Sequence, residues 1–404
     1  SGPKLFRSWH APVLLAAIAA MMLLPHLSYP FVEPDEARNA QIALEMYRSA
    51  DWITPTRWGR PYLDKPPMLF WWVSGSFSLF GPSPAAARVP VALAGLLTVG
   101  LVYGAGRWLV GRQAAWIGAG MLVMCIGFVL SARFVIHDAL LTLFVTATVF
   151  GLYRVAELPL SSMKRKLGWS IAGAVYGLGI LTKGPVCIAL SVPPLLALQW
   201  LTFGAVRTQV RDWIRFFLAA FVVAMPWYIA ASFRSEQFLQ YFLWEQNVKR
   251  FLSGANHPAA WWFYIPVVFA GLFPCSLLLP GLTVFLLSRS AVLRCHRPRG
   301  LGYVTLSALW TVLFFSLSEG KLPTYVLPAA PMFALLLGQL VATVLLKAPS
   351  GEDAKLPAYL RAIRRQVPVV LIVLCAGAAI GGGIVDCLLA PDTAIGVWGS
   401  WLLA

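Results

Sequence analysis

Residues 86–133 read AARVPVALAGLLTVGLVYGAGRWLVGRQAAWIGAGMLVMCIGFVLSAR. This stretch holds two apolar runs, 86–106 and 113–133, separated by a short linker that carries Arg107 and Arg112. Each run has the length of about 20 residues that an α-helix needs to cross the hydrocarbon core of a bilayer. Basic residues in short linkers fix the orientation of such helices. The stretch therefore predicts two membrane-spanning helices joined by a basic turn.

Apolar runs of this kind recur along the whole chain. Of its 404 residues, 59% are hydrophobic and 12% are charged, and that charged share is about half that of a soluble protein. Further spans are predicted near residues 11–30, 137–153, 167–183, 185–203, 213–233, 259–287, 300–318, 323–346 and 367–388, with a last apolar piece at 393–404. The sequence thus predicts an all-α polytopic membrane protein with roughly 11–13 transmembrane helices in one domain, residues 1–404. It excludes a soluble enzyme, a disulfide scaffold and a disordered chain.

The net charge of +16 reflects membrane orientation rather than nucleic-acid binding, because the basic residues separate the apolar runs instead of forming one patch. With the N-terminus in the cytoplasm, the cytoplasmic gaps hold 20 of the 32 basic residues and four of the 16 acidic ones. The whole charge excess then lies on one face, as the positive-inside rule requires. Acids and bases balance on the outer face. Since ionisable groups at a membrane edge are costly and often functional, we expect the active site there.

A long outer segment, residues 31–85, follows the first span. Pro34 suits the first turn of a helix, and Asp35 and Glu36 follow it where the helix dipole favours acids. From residue 37 to 49 the sequence predicts an amphipathic helix. Its apolar side is expected to carry Ala40, Ile42 or Ala43, and Met46 or Tyr47. After a turn-rich connector and a Pro-Pro pair we predict a second helix, so that two amphipathic helices lie on the outer membrane surface.

Asp35 and Arg38 are three residues apart and share one face of the predicted helix. One interpretation is a helix-start acid in a local ion pair. The other is a carboxylate that acts at the membrane surface, with Arg38 and Lys65 binding a phosphate, for which guanidinium and ammonium groups are well suited. Similar alternatives apply to Asp138, as a helix cap or a site acid, and to Lys183, as an interfacial side chain or a phosphate ligand.

Six motifs occur in one order along the chain and fall on its predicted outer face. They are EPDEAR at 33–38, DWITP at 51–55, YLDKPP at 62–67, HDALL at 137–141, LTKGP at 181–185 and KLPTYVLP at 321–328. In this combination they resemble the motifs of the bacterial aminoarabinose transferase and protein O-mannosyltransferase-like group of GT-C glycosyltransferases. The similarity extends from about residue 30 to about residue 335.

The resemblance implies a GT-C fold and the transfer of a sugar from a polyprenyl-phosphate carrier to an acceptor on the outer side of the membrane. No nucleotide donor is implied. The implied catalytic acids are Asp35, Asp138 and Glu36. The residues implied to hold the carrier phosphate or the substrate are Arg38, Lys65, Tyr62, Lys183, Arg250, Lys321 and Tyr325.

The chain also departs from the family pattern. Asn39 stands where the aminoarabinose branch tends to have an aromatic residue, and Asn247 stands where that branch often carries His. The second departure weakens a carried-over zinc site, for which Asp64 and His257 remain as weak ligand candidates, because zinc usually takes three or four ligands. We expect no required cofactor, with a divalent metal as the minor alternative. The resemblance further implies that the soluble outer domain of full-length members is absent from this chain, which leaves the acceptor open.

The sequence thus favours a glycosyltransferase of a bacterial inner membrane with a periplasmic active site. Its expected partners are an undecaprenyl phosphate-linked sugar of the 4-amino-4-deoxy-L-arabinose type, lipid A as acceptor, and membrane lipids. A protein or another glycan as acceptor is the enzymatic alternative. A flippase or transporter of a lipid-linked substrate is the alternative of another class. Transporters often carry charged sites and broken helices at the membrane centre, whereas the charges here cluster at one outer edge.

Overall fold

The computed structural model describes residues 10–32, 34–202, 206–253 and 258–347. Apart from one short hairpin, the regular structure of these residues is helical. The α-helices are α1 (His10–Leu23), α2 (Pro34–Ser49), α3 (Met68–Phe80), α4 (Pro84–Leu109), α5 (Arg112–Met124), α6 (Ile126–Ser131), α7 (His137–Ala156), α8 (Met163–Lys183), α9 (Val186–Ser191), α10 (Pro193–Leu201), α11 (Val210–Arg234), α12 (Arg250–Ser253), α13 (Tyr264–Gly271), α14 (Leu279–Leu287), α15 (Ala291–Arg294), α16 (Gly300–Leu317) and α17 (Ala330–Val341). The hairpin strands are β1 (Thr56–Arg57) and β2 (Arg60–Pro61). Four further segments are 3₁₀ or π helices: Gln240–Lys249, Cys275–Leu278, Pro323–Ala329 and Ala342–Lys347.

Five helices of the described part of the chain are long and apolar enough to cross a membrane. They are α4, α7, α11, α16 and the continuous helix Pro323–Val344. α13 and the segment Cys275–Leu287 together form a sixth candidate that is bent by 112°. The fold class predicted from the apolar runs, a mostly helical polytopic membrane protein, is confirmed. The span predicted at 367–388 and the apolar piece at 393–404 lie outside the described residues.

Besides the bent segment within 259–287, two other predicted spans are interrupted rather than continuous. The run 113–133 divides at Cys125 into α5 and α6, and the run 185–203 divides at Val192 into α9 and α10. The second break has a local cause, because Pro193 has no N–H for the helical ladder. Val192 itself keeps helical φ and ψ of −83° and −49°. The structure therefore has fewer continuous spans than the sequence has apolar runs, because hydropathy does not report where a helix breaks.

The outer segment after α1 contains the two predicted helices, α2 and α3. The expected apolar side of α2 is confirmed by its buried residues Ala40, Ile42, Ala43 and Met46. The turn-rich connector between the helices contains the β1–β2 hairpin, which the sequence pattern did not predict. Trp58 and Gly59 at its tip have φ of 55° and 70°, the left-handed pair of a two-residue type I′ turn.

Close backbone contacts hold the helix bundle together at glycines. A Cβ at Gly173 on α8 would lie 2.1 Å from the carbonyl oxygen of Phe216 on α11. A Cβ at Gly338 on α17 would lie 2.3 Å from the carbonyl oxygen of Ala114 on α5. Small residues let membrane helices approach more closely than any side chain would permit. These contacts fix α8 and α17, which carry part of the site described below.

The two ends of the bundle carry different charged clusters. At one end the start of α2, the start of α7, the end of α8 and the start of the segment Pro323–Ala329 meet. At the other end Arg165 of α8 is buried and donates to Asp212 Oδ2 of α11 at 2.7 Å. Its guanidinium also donates to the carbonyls of Val155 and Ala156, which end α7. Arg165 thus donates to carbonyls at the end of α7 while it joins α8 to α11.

Candidate active site

A cavity of about 1000 Å³ lies at the end of the bundle where α2, α6, α7, α8, α13 and the segment Pro323–Ala329 meet. It brings together most of the site residues predicted from the sequence. Those that line it are Asp35, Arg38, Tyr62, Asp64, Lys65, Asp138, Lys183 and Tyr325. These residues come from five separate motifs, so the fold places acids and bases that are distant in sequence around one space.

Asp35 and Arg38 lie on the first turns of α2 and form an ion pair, with 2.6 Å between Oδ1 and Nη2. Their side chains are 43% and 30% exposed, so the pair faces the cavity rather than the protein core. The local ion pair of the first interpretation is present, and both of its residues also line the cavity. The helix dipole favours an acid at this position.

Asp138, at the start of α7, is buried and has fixed partners on two other elements. Lys183, the last residue of α8, donates to its Oδ1. Thr324 donates to its Oδ2 at 3.1 Å. The Lys183 ammonium also lies 4.2 Å from the ring centre of Tyr325, a cation–π distance. The buried carboxylate is thus paired and hydrogen-bonded, as a buried charge must be, and it holds the partly buried ammonium at the cavity wall.

Thr324 was not singled out from the sequence, although it lies inside the KLPTYVLP motif. Its hydroxyl is the second donor to Asp138, and it lines the same cavity. The available signal was its position between two other predicted site residues, Lys321 and Tyr325. A hydropathy pattern does not identify hydroxyl donors, so only the motif indicated Thr324.

Glu36 requires a correction, because the structure does not bring this predicted catalytic acid to the cavity. Its carboxylate is fully buried, and Arg88 of α4 donates to Oε1 and Oε2 at 2.8 Å each. The backbone N–H groups of Val135 and Val32 donate to the same carboxylate at 3.2 Å and 3.3 Å. Glu36 therefore joins α2, α4 and the segment before α7. A carboxylate with its oxygens engaged in this way positions its neighbours rather than a substrate.

Arg88 is the second residue that the sequence analysis missed. It is fully buried and donates to the backbone carbonyls of Leu27, Tyr29 and Pro30 as well as to Glu36. Its guanidinium also lies 3.7 Å from the centre of the Tyr29 ring. The sequence signal for Arg88 was a charged residue inside an apolar run. Such a charge is costly to bury unless it has several partners.

Asn39 completes the connection between α2 and α7. Its Nδ2 donates to the carbonyl oxygen of Val135 at 2.8 Å, while Glu36 accepts the N–H of the same residue. Two side chains on one face of α2 thus hold both backbone groups of Val135, three residues before Asp138. The helix that carries Asp35 is fixed in this way to the start of the helix that carries Asp138.

Tyr62 and Lys65 line the cavity from the connector between the hairpin and α3. Burial raises the pKa of the Tyr62 hydroxyl to about 12, against the lowering effect of the nearby Arg38 charge, with Asp64 adding to the rise. At neutral pH the hydroxyl therefore keeps its proton and can donate a hydrogen bond. This favours contact with an anionic oxygen such as that of a phosphate.

Asp64 is held by hydrogen bonds from the segment Gln240–Lys249. Its Oδ1 accepts from the Tyr241 hydroxyl at 2.7 Å and from Gln246 Nε2 at 3.2 Å. Within the described residues no group of three His, Cys, Asp or Glu side chains lies close enough to hold a metal ion. His257, the other weak ligand candidate, lies outside the described residues. The Arg250 side chain is not described either, so its predicted phosphate contact stays a prediction.

Lys321 is placed away from the main cavity, contrary to its predicted substrate role. It is buried, and its ammonium donates to the carbonyl oxygens of Ser318 and, at 3.0 Å, of Ala259. These bonds join the turn after α16 to the chain segment before α13. The ammonium is used to satisfy buried carbonyls, which is why it does not point to the substrate space.

Comparison with known proteins agrees with this architecture. Residues 64–230 match the family described as dolichyl-phosphate-mannose-protein mannosyltransferase. Undecaprenyl phosphate-alpha-4-amino-4-deoxy-L-arabinose arabinosyl transferase 1 of Pseudomonas fluorescens (strain Pf0-1) is 33% identical over 343 residues, which cover 82% of this chain and 58% of the relative. The corresponding transferase of Pseudomonas aeruginosa (strain LESB58) is 31% identical over 335 residues, with coverage of 81% and 58%.

Solved structures show the same similarity. The crystal structure of ArnT from Cupriavidus metallidurans bound to undecaprenyl phosphate has a TM-score of 0.72 and 27% identity, and the match covers 93% of this chain and 63% of that chain. The archaeal oligosaccharyltransferase AglB from Archaeoglobus fulgidus shares the fold, with a TM-score of 0.53 at 13% identity. The chain thus has the fold of the GT-C membrane glycosyltransferases, with a charged cavity at the end of its helical bundle. Among proteins of that fold, the chain is similar to bacterial aminoarabinose transferases over 81–82% of its length. It spans 58% of the length of the two curated relatives described above.

Proposed function

We propose that this chain transfers a sugar from a polyprenyl-phosphate carrier to an acceptor at the periplasmic face of a bacterial inner membrane. The observation that carries the proposal is the cavity in which Asp35 and Asp138 lie with Arg38, Lys65 and Lys183. The names of the relatives support undecaprenyl phosphate as the carrier and 4-amino-4-deoxy-L-arabinose as the sugar. Lipid A is the proposed acceptor, as the sequence resemblance implies.

In the proposed reaction the bond between the anomeric carbon and the carrier phosphate oxygen breaks, and an acceptor oxygen bonds to the same carbon. The phosphate leaves with the bonding electron pair, so negative charge develops on it. Arg38, Lys65 and Lys183 supply fixed positive charge at the cavity wall, which stabilises that leaving group. The Tyr62 hydroxyl is placed to add a hydrogen bond. These cationic side chains therefore act on the step in which the bond between the sugar and the carrier phosphate breaks.

Asp35 acts on the sugar side of the same step. Positive charge develops on the sugar in the transition state, and a carboxylate beside it is stabilising. With a hydroxyl acceptor, Asp35 also takes the proton that the acceptor loses. With a phosphate acceptor no proton is removed, and Asp35 then only positions and stabilises the sugar.

Asp138 is proposed to act through Lys183. Its carboxylate orients the ammonium toward the cavity together with Tyr325, and Thr324 holds the carboxylate in place. Fixed partners of this kind keep a charged group ready without reorganisation at the moment of reaction. In this account Asp138 is a positioning residue for the carrier phosphate.

The test is an assay that follows the fate of both lipids. Purified protein is incubated with a polyprenyl-phosphate sugar and with lipid A, and both lipids are analysed by mass spectrometry. The proposal expects lipid A to gain one sugar as free polyprenyl phosphate appears. The control variant Glu157→Gln, an acid at the opposite end of α7, is expected to behave as the wild type. A donor that crosses the membrane with its sugar–phosphate bond intact would instead indicate a flippase.

A further inference from the structure

Two residues of the main cavity each carry a buried polar atom that has no hydrogen-bond partner among the described residues. These atoms are Oδ1 of Asn39 on α2 and Nε2 of His137 at the start of α7. Both residues line the cavity that contains Asp35 and Asp138, and only 3% and 5% of their surfaces are exposed. A buried polar atom without a partner costs free energy, so a bound group that supplies the missing bond would be stabilised there.

The orientation of the Asn39 amide is fixed by a neighbouring carbonyl. Its Nδ2 donates to the carbonyl oxygen of Val135 at 2.8 Å, and only the nitrogen end of an amide can donate to a carbonyl. The unpaired end is therefore the oxygen, which accepts hydrogen bonds and cannot donate them. Since Val135 lies two residues before His137, the same bond holds the amide beside the segment that leads into the imidazole.

The His137 ring is held by aromatic packing. It meets the ring of Phe70 on α3 edge to face, with 5.4 Å between the ring centres and 86° between the planes. A neutral imidazole has one nitrogen that donates and one that accepts, so it can bond to a hydroxyl group in either sense. The next residue, Asp138, is by contrast engaged by Lys183 and Thr324. The imidazole Nε2 therefore has no such structural use among the described residues.

The chemistry of a lipid-linked sugar decides which part of it suits the amide oxygen. The hydrocarbon tail has no hydrogen-bonding group. The oxygens of an ionised phosphate only accept hydrogen bonds, as Asn39 Oδ1 does, so no bond can form between them. That phosphate is better matched by Arg38 and Lys65, which line the same cavity and donate. The hydroxyl and amino groups of the sugar are therefore the groups of the donor that can satisfy Asn39 Oδ1.

We propose that Asn39 and His137 select the transferred sugar. Asn39 Oδ1 accepts a hydrogen bond from a hydroxyl or amino group of the sugar, and His137 bonds to a second polar group of it. This inference rests on the proposed function and assigns the two residues to the sugar rather than to the carrier phosphate. A sugar that lacks the donor group leaves the amide oxygen buried and unpaired, which is how a polar site rejects such an analogue.

The first test measures binding in the absence of any acceptor. Protein in nanodiscs is titrated with undecaprenyl phosphate and with undecaprenyl phosphate-linked 4-amino-4-deoxy-L-arabinose, and the ratio of the two Kd values gives the contribution of the sugar. His137→Phe keeps an aromatic ring against Phe70 and removes both nitrogens. It is expected to raise the Kd for the sugar-bearing carrier about 10-fold and to leave that for undecaprenyl phosphate unchanged. His137→Gln restores a polar group and should recover part of the loss.

Thr146→Val is the matched control. Thr146 lies on the same helix, and its buried hydroxyl also has no partner among the described residues, but it does not line the cavity. Its replacement should leave both Kd values at their wild-type level. Equal weakening of both carriers in His137→Phe would assign the ring to packing or to the carrier and would overturn the proposal. A wild type that binds the two carriers equally would do the same.

The second test identifies the sugar group that Asn39 accepts from. Wild type and Asn39→Leu are titrated with carriers whose sugar lacks either the amino group or one hydroxyl. Removing the donor group should cost the wild type about 10-fold in Kd and should cost Asn39→Leu little, because the two changes remove the same bond. Since Asn39→Leu also loses the bond to Val135, its thermal midpoint is measured, and His137→Phe decides if that variant does not fold.

The outcomes separate this inference from the proposed function. Lower thermal midpoints in His137→Phe and Asn39→Leu with an unchanged ratio of Kd values would show that the two atoms hold a structural water, and the inference would be overturned. A sugar preference that depends on both residues, without transfer to any acceptor, would refute the proposed function alone.

Discussion

The carboxylate of Glu36 and the guanidinium of Arg88 form two parallel hydrogen bonds of 2.8 Å in a fully buried position. Glu36 is adjacent to Asp35 and also accepts the N–H of Val135, just before α7. One ion pair therefore links the helix that carries Asp35, the long span α4 and the start of the helix that carries Asp138. We infer that the relative position of the two candidate acids depends on it.

Replacing Arg88 by Lys should destabilise the protein strongly. The ammonium cannot reproduce the two-point contact with Glu36 and the bonds to three backbone carbonyls, so buried polar groups lose their partners. Breaking a buried pair costs about 3–5 kcal/mol, and the thermal midpoint in detergent should fall accordingly. Arg107→Lys, an exposed change on the same helix, is the control. Equal midpoints for the two variants would contradict the role given to Arg88.

Replacing Lys183 by Gln should weaken binding of the carrier. The change removes the cation that Asp138 and Tyr325 hold at the cavity wall. Loss of one charge-assisted phosphate contact is expected to raise the Kd for undecaprenyl phosphate about 10-fold. Equilibrium binding with Lys164→Gln, an exposed change at the other end of α8, provides the comparison. An unchanged Kd in Lys183→Gln would exclude Lys183 as a phosphate ligand.

The stability of the β1–β2 hairpin, which carries Arg57, should depend on pH through Glu45. Burial alone would raise the pKa of this carboxyl, but hydrogen bonds from Gln41, Thr56, Trp58 and Gly59 outweigh it and lower the pKa below its ordinary value of 4.5. A depressed folded-state pKa stabilises the protein above the pKa of the unfolded chain, and this stabilisation is lost as the pH falls through the folded-state pKa.

The matching measurement is the difference in thermal midpoint between the wild type and Glu45→Gln at several pH values. The difference should be constant between about pH 6 and 8. It should shrink as the pH falls below 4.5 and should disappear below the lowered folded-state pKa, where the wild-type carboxyl is neutral as well. A difference that persists unchanged at low pH would show that the carboxylate charge does not hold the hairpin.

Asp64 gives a prediction about metal. Its carboxylate already accepts bonds from Tyr241 and Gln246, so a chelator should leave the thermal midpoint and undecaprenyl phosphate binding unchanged. Tyr241→Phe should instead lower the free energy of unfolding by roughly 1 kcal/mol, the contribution of one hydrogen bond, and the thermal midpoint should fall with it. If a chelator destabilised the protein and added zinc restored it, Asp64 would be a metal ligand after all.

Much of the fold could be predicted because hydropathy and helix spacing report local properties. The two helices after α1 and the buried side of α2 follow from the spacing of apolar residues. The breaks at Cys125 and Val192 do not, because hydropathy records which residues suit a membrane rather than where a helix is continuous. The β1–β2 hairpin was missed for a similar reason, since an unusual Trp58-Gly59 turn is held by a distant contact with Glu45.

The motifs indicated which charged residues come together at this end of the bundle, but not which of them line the cavity. Asp35 and Lys183 stand at helix ends that the motif order places together. Glu36 and Lys321 occupy equally suggestive positions, yet each is used to satisfy buried groups. Only the tertiary structure shows those partners, because Arg88 lies 52 residues from Glu36 in sequence.

The most direct test of the central claim separates donor binding from sugar transfer in Asp35→Asn. This change keeps the size of the side chain and removes its charge. The account predicts that the Kd for the polyprenyl-phosphate sugar stays within about 3-fold of wild type while the single-turnover rate of transfer falls about 10²–10⁴-fold. An Asp35→Asn variant that transfers sugar at the wild-type rate would contradict the assignment of this cavity as the site of reaction.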